Sequence, residues 1–210
     1  MSGVFDPALQ RCLAALALPG LLIGHRMIQA GDENALHDAE VASLPSRVPE
    51  ARRASGAARI IARELLARLG HTDTPIARGD GGEPLWPSGI VGSLAHDGAV
   101  AVAAVGLERD FSSIGVDVEP MRDLPADMID LVATPAELAR IDRDPGIARL
   151  LFAAKEAAYK AAYRSDRTFL DFPDIEVDLV AHTAVTRTGQ TLALRYCMSP
   201  RIVALALIPA

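Results

Sequence analysis

The stretch Ile114-Gly115-Val116-Asp117-Val118-Glu119-Pro120 constrains the chain more than any other. Its β-branched residues alternate and a proline closes it, which is the pattern of a strand. Successive strand side chains point to opposite faces, so Asp117 and Glu119 share one face while Val116 and Val118 pack behind them. Two carboxylates about 7 Å apart along a strand repel each other unless a cation sits between them. A lone Asp-x-Glu pair is most often a solvated sheet edge, so the pair needs a partner segment to mean more.

Phe152-Ala153-Ala154-Lys155-Glu156-Ala157-Ala158-Tyr159-Lys160 supplies one. Around it Ile147, Leu150, Leu151, Ala154, Ala158 and Ala161 recur at helical spacing and form a buried stripe. Glu156 and Lys160 stand four residues apart on one face, a spacing that elsewhere marks an ordinary surface ion pair. If this helix packs across the strand, three carboxylates and an ammonium converge. Oxygen-only ligands of that kind suit Mg²⁺, which keeps several waters and is completed by substrate phosphates.

Half of the 210 residues are apolar but only 4% are aromatic, so the core is built mainly from Ala, Leu, Ile and Val. The net charge of −6, with no basic run, argues against nucleic-acid binding. Cys12 and Cys197 match no metal spacing or CxxC motif and read as idle thiols in a reducing compartment. No signal peptide and no apolar stretch of membrane-spanning length is visible, so a cytoplasmic protein is expected.

In chain order, Pro7 to Leu18 reads as a helix and Leu21 to Ile28 as a strand. Gly31 to Ser43 reads as a turn and short helix. Pro49 opens a helix over Glu50 to Leu69 that Gly70 stops. Its Arg52, Arg59 and Arg63 fall within a narrow arc, either a solvated basic face or an anion site of guanidinium forks. Arg78 lies in the turn-rich link Pro75 to Pro87, whose glycines can form an anion-binding nest. Ile90 to Leu94 and Val100 to Val105 flank an Asp97-Gly98 hairpin signal with His96 at the corner. His25 and His37 have no partner at useful spacing. After Asp110 come the Asp117/Glu119 strand, helices over Leu124 to Val132 and Pro135 to Ile141, and the Glu156 helix. Thr134 and Glu137 form a capping box on the second of those helices. Strands over Ile175 to Leu179, Thr191 to Tyr196 and Ile202 to Ile208 finish the chain. Two α+β lobes meeting near Phe111, residues 1–110 and 111–210, are therefore expected, with the site in the cleft between them.

Gly115-Val116-Asp117-Val118-Glu119-Pro120 and Phe152-Ala153-Ala154-Lys155-Glu156-Ala157-Ala158-Tyr159-Lys160 resemble the two signature motifs of the 4′-phosphopantetheinyl transferases. Arg52 to Arg63, Gly82-Glu83-Pro84-Leu85-Trp86-Pro87 and Val91-Gly92-Ser93-Leu94-Ala95-His96 resemble the siderophore-synthase (enterobactin/surfactin-type) branch, in the family's order. The resemblance implies a pseudo-dimeric two-lobed α+β fold. It implies transfer of the phosphopantetheine arm of coenzyme A to a serine of an acyl or peptidyl carrier protein, releasing adenosine 3′,5′-bisphosphate.

By the same resemblance Asp117, Glu119 and Glu156 hold Mg²⁺ with the coenzyme A pyrophosphate. Glu156 takes the serine proton, directly or through water, and Lys160 neutralises the pyrophosphate and can protonate the leaving group. His96 and Ser93 contact coenzyme A, and Arg52, Arg59 and Arg78 grip phosphates of its nucleotide end. Arg78 stands where many members have Lys, and Asp97 follows His96 where Cys is frequent. The competing readings are another Mg²⁺-dependent pyrophosphate-cleaving enzyme and a non-catalytic coenzyme A- or carrier-binding relative. No P-loop signature is present. A monomer is expected, with neither nucleic acid nor membrane as partner.

Overall fold

The computed structural model describes residues 4–45 and 47–210. In the first lobe, strands β1 (Leu22–Met27), β2 (Ile90–His96) and β3 (Val100–Leu107) form an antiparallel sheet of order β1-β3-β2. The Asp97-Gly98 corner joins β2 to β3, with Asp97 Oδ1 accepting from the backbone N–H groups of Ala99 and Val100 at 3.0 and 2.9 Å. Helix α3 (Pro49–Arg68), following α1 (Pro7–Leu16) and α2 (Asp38–Ser43), has Pro at its first turn. Its Ile61, Ala62, Leu65 and Leu66 pack on Ile90, Ala103 and Val105.

The second lobe holds β4 (Phe111–Pro120), α4 (Ala126–Val132), α5 (Pro135–Ile141), α6 (Pro145–Asp166), β5 (Ile175–Asp178), β6 (Thr183–Thr186), β7 (Thr191–Cys197) and β8 (Arg201–Pro209). Its antiparallel sheet runs β4-β8-β7-β6-β5. Strand β6 is absent from the sequence reading, because four residues with two threonines and an exposed Val185 carry too little alternation to register. The capping box at α5 is present: Thr134 accepts from the Glu137 N–H, and the Glu137 carboxylate accepts from the Thr134 N–H at 2.8 Å.

Period-two alternation in β4 explains how the lobes join. Ile114, Val116 and Val118 point into a core shared with Val91, Val102 and Ala104 of the first lobe and with Val203 and Leu205 of β8. Ser113, Gly115 and Asp117 face α6 instead. There Ser113 Oγ donates to the Ala161 carbonyl at 2.6 Å. A Cβ on Gly115 would lie 1.9 Å from the Ala157 carbonyl oxygen, so only glycine lets strand and helix backbones approach this closely. The alanines of α6 (Ala153, Ala154, Ala157, Ala158, Ala161 and Ala162, all fully buried) serve the same approach. Ile147, expected in the buried stripe, is only half-buried, and Lys155 takes a place in the interior.

One expectation is corrected. Cys12 and Cys197 are not idle thiols: they are joined in a disulfide, with Cα atoms 6.1 Å apart. Helix α1 packs against β1, β7 and β8, which brings together two cysteines separated by 185 positions, a pairing no local spacing reveals. Of the two readings of the α3 arc, the solvated face does not hold for Arg59 and Arg63. Glu40, fully buried, accepts from Arg63 at 2.8 Å and from the Ile76 N–H at 2.7 Å, and Arg59 lies 3.8 Å from it. A buried carboxylate must be paired and hydrogen-bonded, and these groups do so. Among the described residues no helix is long and apolar enough to cross a membrane.

Candidate active site

The approach of β4 to α6 sets the chemistry. Lys160 Nζ donates to Asp117 Oδ1 at 2.7 Å and to the Val116 carbonyl at 3.1 Å. It therefore reaches across to the strand rather than back along the helix to Glu156. Asp117 is 8% exposed, and its Oδ2 is buried without a hydrogen-bond partner. Glu119, one strand repeat on, accepts from Arg149 at 2.8 Å.

The three acids share an electrostatic environment. Burial pushes the Asp117 pKa up, opposed by the Lys160 ammonium. Burial, with the Asp117 charge second, raises Glu119, opposed by Arg149. Burial also raises Glu156, with Lys160 opposing and Asp117 adding to the rise. Asp117 thus disfavours the ionised form of both other carboxylates, which is the behaviour of a site short of positive charge. His96 ends β2 beside this group. Its pKa is lowered by the protein mass around the ring and then by Lys160, with Asp97 and Asp117 opposing.

Among the described residues no group of three or more His, Cys, Asp or Glu side chains stands ready to hold a metal ion. Asp117 and Glu119 each turn to a cation of the chain, Lys160 and Arg149. The donor set nevertheless fits a hard divalent ion. All its donors are carboxylate oxygens, and the orphaned Asp117 Oδ2 is a buried acceptor that lacks a partner.

A cavity of about 370 Å³ opens beside these residues, walled by both lobes. Of the expected site residues, Arg78, Ser93, Glu156 and Lys160 line it. Arg52, Arg59, His96, Asp117 and Glu119 do not. Arg59 is 5% exposed and committed inward, donating to the carbonyls of Ile76 at 2.8 Å and Ser55 at 3.3 Å. Burial lowers its pKa, opposed by Glu40, and the like charges of Arg63 and then Arg78 add to the lowering.

Sequence reasoning missed much of the rest of the cavity wall. Tyr163 and Arg164 follow Lys160 at i+3 and i+4 on α6, so helical spacing alone could have placed them beside it, whereas Arg167 is the left-handed residue that caps the helix. Arg167 pairs with Glu83 and lies 5.6 Å above the Tyr163 ring, while Arg164 pairs with Glu108. A Cβ on Gly81 would meet the Tyr163 hydroxyl at 1.7 Å, so the glycine-rich link of the first lobe is pressed onto the end of α6. Arg201 of β8 binds Asp97, tying the corner that carries His96 to the second lobe.

Fold and site together define a two-lobed α+β enzyme whose cavity is lined by Glu156 and Lys160, with Asp117 held behind Lys160. Sequence comparison carries this further. Residues 39–106 match the 4′-phosphopantetheinyl transferase N-terminal domain, and residues 113–206 match the 4′-phosphopantetheinyl transferase superfamily. The chain is 36% identical over 163 residues to the 4′-phosphopantetheinyl transferase Npt of Nocardia iowensis, covering 76% of this chain and 73% of that protein. It is 35% identical over 173 residues to the 4′-phosphopantetheinyl transferase Svp of Streptomyces mobaraensis, covering 79% and 70%. With enterobactin synthase component D of Escherichia coli O157:H7 it shares 33% over 155 residues, covering 70% and 72%. The chain belongs to the 4′-phosphopantetheinyl transferase family.

Proposed function

We propose that the enzyme transfers 4′-phosphopantetheine from coenzyme A to a serine hydroxyl of an apo acyl or peptidyl carrier protein, with Mg²⁺, releasing adenosine 3′,5′-bisphosphate. The observation that carries this reading is the Lys160–Asp117 contact at 2.7 Å, with Glu156 on the same helix opening onto a cavity walled by both lobes. Asp117, Glu119 and Glu156 would hold the ion, which supplies charge relief at the pyrophosphate when bound.

The chain's own groups do the rest. Glu156, whose pKa burial raises against the opposing charge of Lys160, takes the serine proton directly or through water. Lys160 neutralises the pyrophosphate and donates to the leaving phosphate. His96 and Ser93 contact coenzyme A from β2. Arg78 faces the nucleotide end from the cavity wall, with Arg59 adding positive potential from behind it and Arg52 from the start of α3. Phosphoryl transfer depends on alignment and charge relief more than on covalent help, and these are what such a cluster offers.

The lobe boundary near residue 110, a monomeric state with neither nucleic acid nor membrane as partner, and work on cytoplasmic carrier domains of a siderophore or related synthase complete the reading. The similarity to enterobactin synthase component D supports that choice of pathway. The test is to incubate the protein with coenzyme A, Mg²⁺ and a panel of apo carriers and to weigh each carrier. A gain of one phosphopantetheine is expected on at least one carrier, and no gain on any contradicts the reading.

A further inference from the structure

We propose that Arg149 is a positioning residue that holds Glu119 in the orientation from which its other carboxylate oxygen serves the divalent ion. The proposal rests on the reading of Asp117, Glu119 and Glu156 as the metal-holding acids. Arg149 lies on α6 two turns before Glu156. Its Nη1 donates to Glu119 Oε2 at 2.8 Å, its Nη2 to the Asp123 carbonyl at 3.0 Å, and its Nε to the Arg122 carbonyl at 3.3 Å. One rigid planar fork therefore fixes both the acid and the turn that leaves β4, which a flexible point charge would not do.

Arg149 and Glu119 side chains are only 15% and 19% exposed, so water screens the pair less than it does a surface ion pair. Glu119 also has two acidic neighbours, Asp117 and Asp97, whose charges oppose its ionisation. Released from Arg149, its side chain would swing away from them. With the guanidinium on Oε2, Oε1 has no hydrogen-bond partner among the described residues. A single helix thus grips both acids of a single strand. Lys160 takes Asp117 and Arg149 takes Glu119, with Glu156 between them in sequence. Partners that orient metal-holding side chains typically change metal affinity or activity by about 10- to 100-fold when removed.

The test titrates the full chain with Mn²⁺ in the presence of coenzyme A and reads free Mn²⁺ by its electron paramagnetic resonance signal. Transfer is measured alongside as a function of Mg²⁺. Arg149→Ala is expected to weaken Mn²⁺ binding by about 10-fold or more. The Mg²⁺ concentration for half-maximal rate should rise by a similar factor, with a smaller loss of kcat at saturating Mg²⁺. Arg149→Lys should restore part of the affinity, and Arg149→Ala added to Glu119→Gln should weaken binding no further. If Arg149→Ala does not fold, Arg149→Gln carries the same expectations, since it can keep a carbonyl contact while losing the charge. Wild-type affinity in the folded variant overturns the proposal, and so does an undiminished effect in the Glu119→Gln background. Wild-type protein that binds no Mn²⁺ overturns the metal reading and the proposal together. Wild-type binding with no effect of Arg149 removes only the role of Arg149.

Discussion

Lys160 Nζ sits 2.7 Å from Asp117 Oδ1, although 43 positions separate the two residues in the chain. The contact exists because Gly115, two residues before Asp117, brings the β4 backbone against α6. Lys160 thereby offsets part of the cost of burying Asp117, and in the proposed reaction it is the group that meets the pyrophosphate. Lys160→Met should lower kcat/KM by about 10²- to 10³-fold, the usual loss for removal of one positioned donor in a closed site. Circular dichroism should show the fold retained. Steady-state transfer to an apo carrier checks this, and a loss below tenfold would take Lys160 out of the reaction.

Gly115→Ala tests the packing beneath that contact. The added methyl has no room beside the Ala157 carbonyl, so helix and strand must separate. Overpacking of this kind costs about 1–3 kcal/mol. The expected result is a lower urea midpoint together with a loss of activity that persists at temperatures where the variant is fully folded. An active, equally stable Gly115→Ala would show that the close approach does not matter.

Glu40 anchors the first lobe in a comparable way. Removing one partner of a buried ion pair costs about 3–5 kcal/mol, because the others are left uncompensated. Glu40→Ala leaves Arg63 and the Ile76 N–H without their acceptor and removes the charge facing Arg59. Its stability in denaturant titration should fall by that amount. A change within about 0.5 kcal/mol, typical of an unremarkable surface site, would contradict the account of the α3 arginines.

The disulfide between Cys12 and Cys197 closes a loop spanning 185 positions. Chain-entropy reasoning gives a stabilisation on the order of 5 kcal/mol for such a loop, as an upper figure. Adding a reductant should lower the Tm while leaving transfer activity intact below it, since both cysteines belong to the α1–β7 contact and neither lines the cavity. An unchanged Tm, or a non-reduced mass two hydrogens heavier than the bonded form, would contradict the pairing.

What the sequence disclosed follows physical range. Strand β4 and helix α6 were legible because periods of 2 and 3.6 are local, and the identities of Asp117, Glu119, Glu156 and Lys160 sat on those periods. Partner choice was not legible, because it is settled by packing across long separations. Lys160 chose Asp117 over Glu156, Arg63 found Glu40, and Cys12 found Cys197. Lys155 is the instructive intermediate. Its position, with Leu151 and Ala158, lies on the apolar stripe, so its burial could have been read from spacing. Its partner Glu137, at 2.6 Å, could not.

The central claim is that the acids of β4 and α6, with Lys160, carry out phosphopantetheinyl transfer. The most direct measurement is the mass of one apo carrier after incubation with coenzyme A, Mg²⁺ and either wild-type enzyme or Glu156→Gln, both verified as folded. The account expects full conversion by the wild type and a rate at least about 10²-fold lower with the variant, the contribution usual for a general base. Equal conversion by both would contradict it.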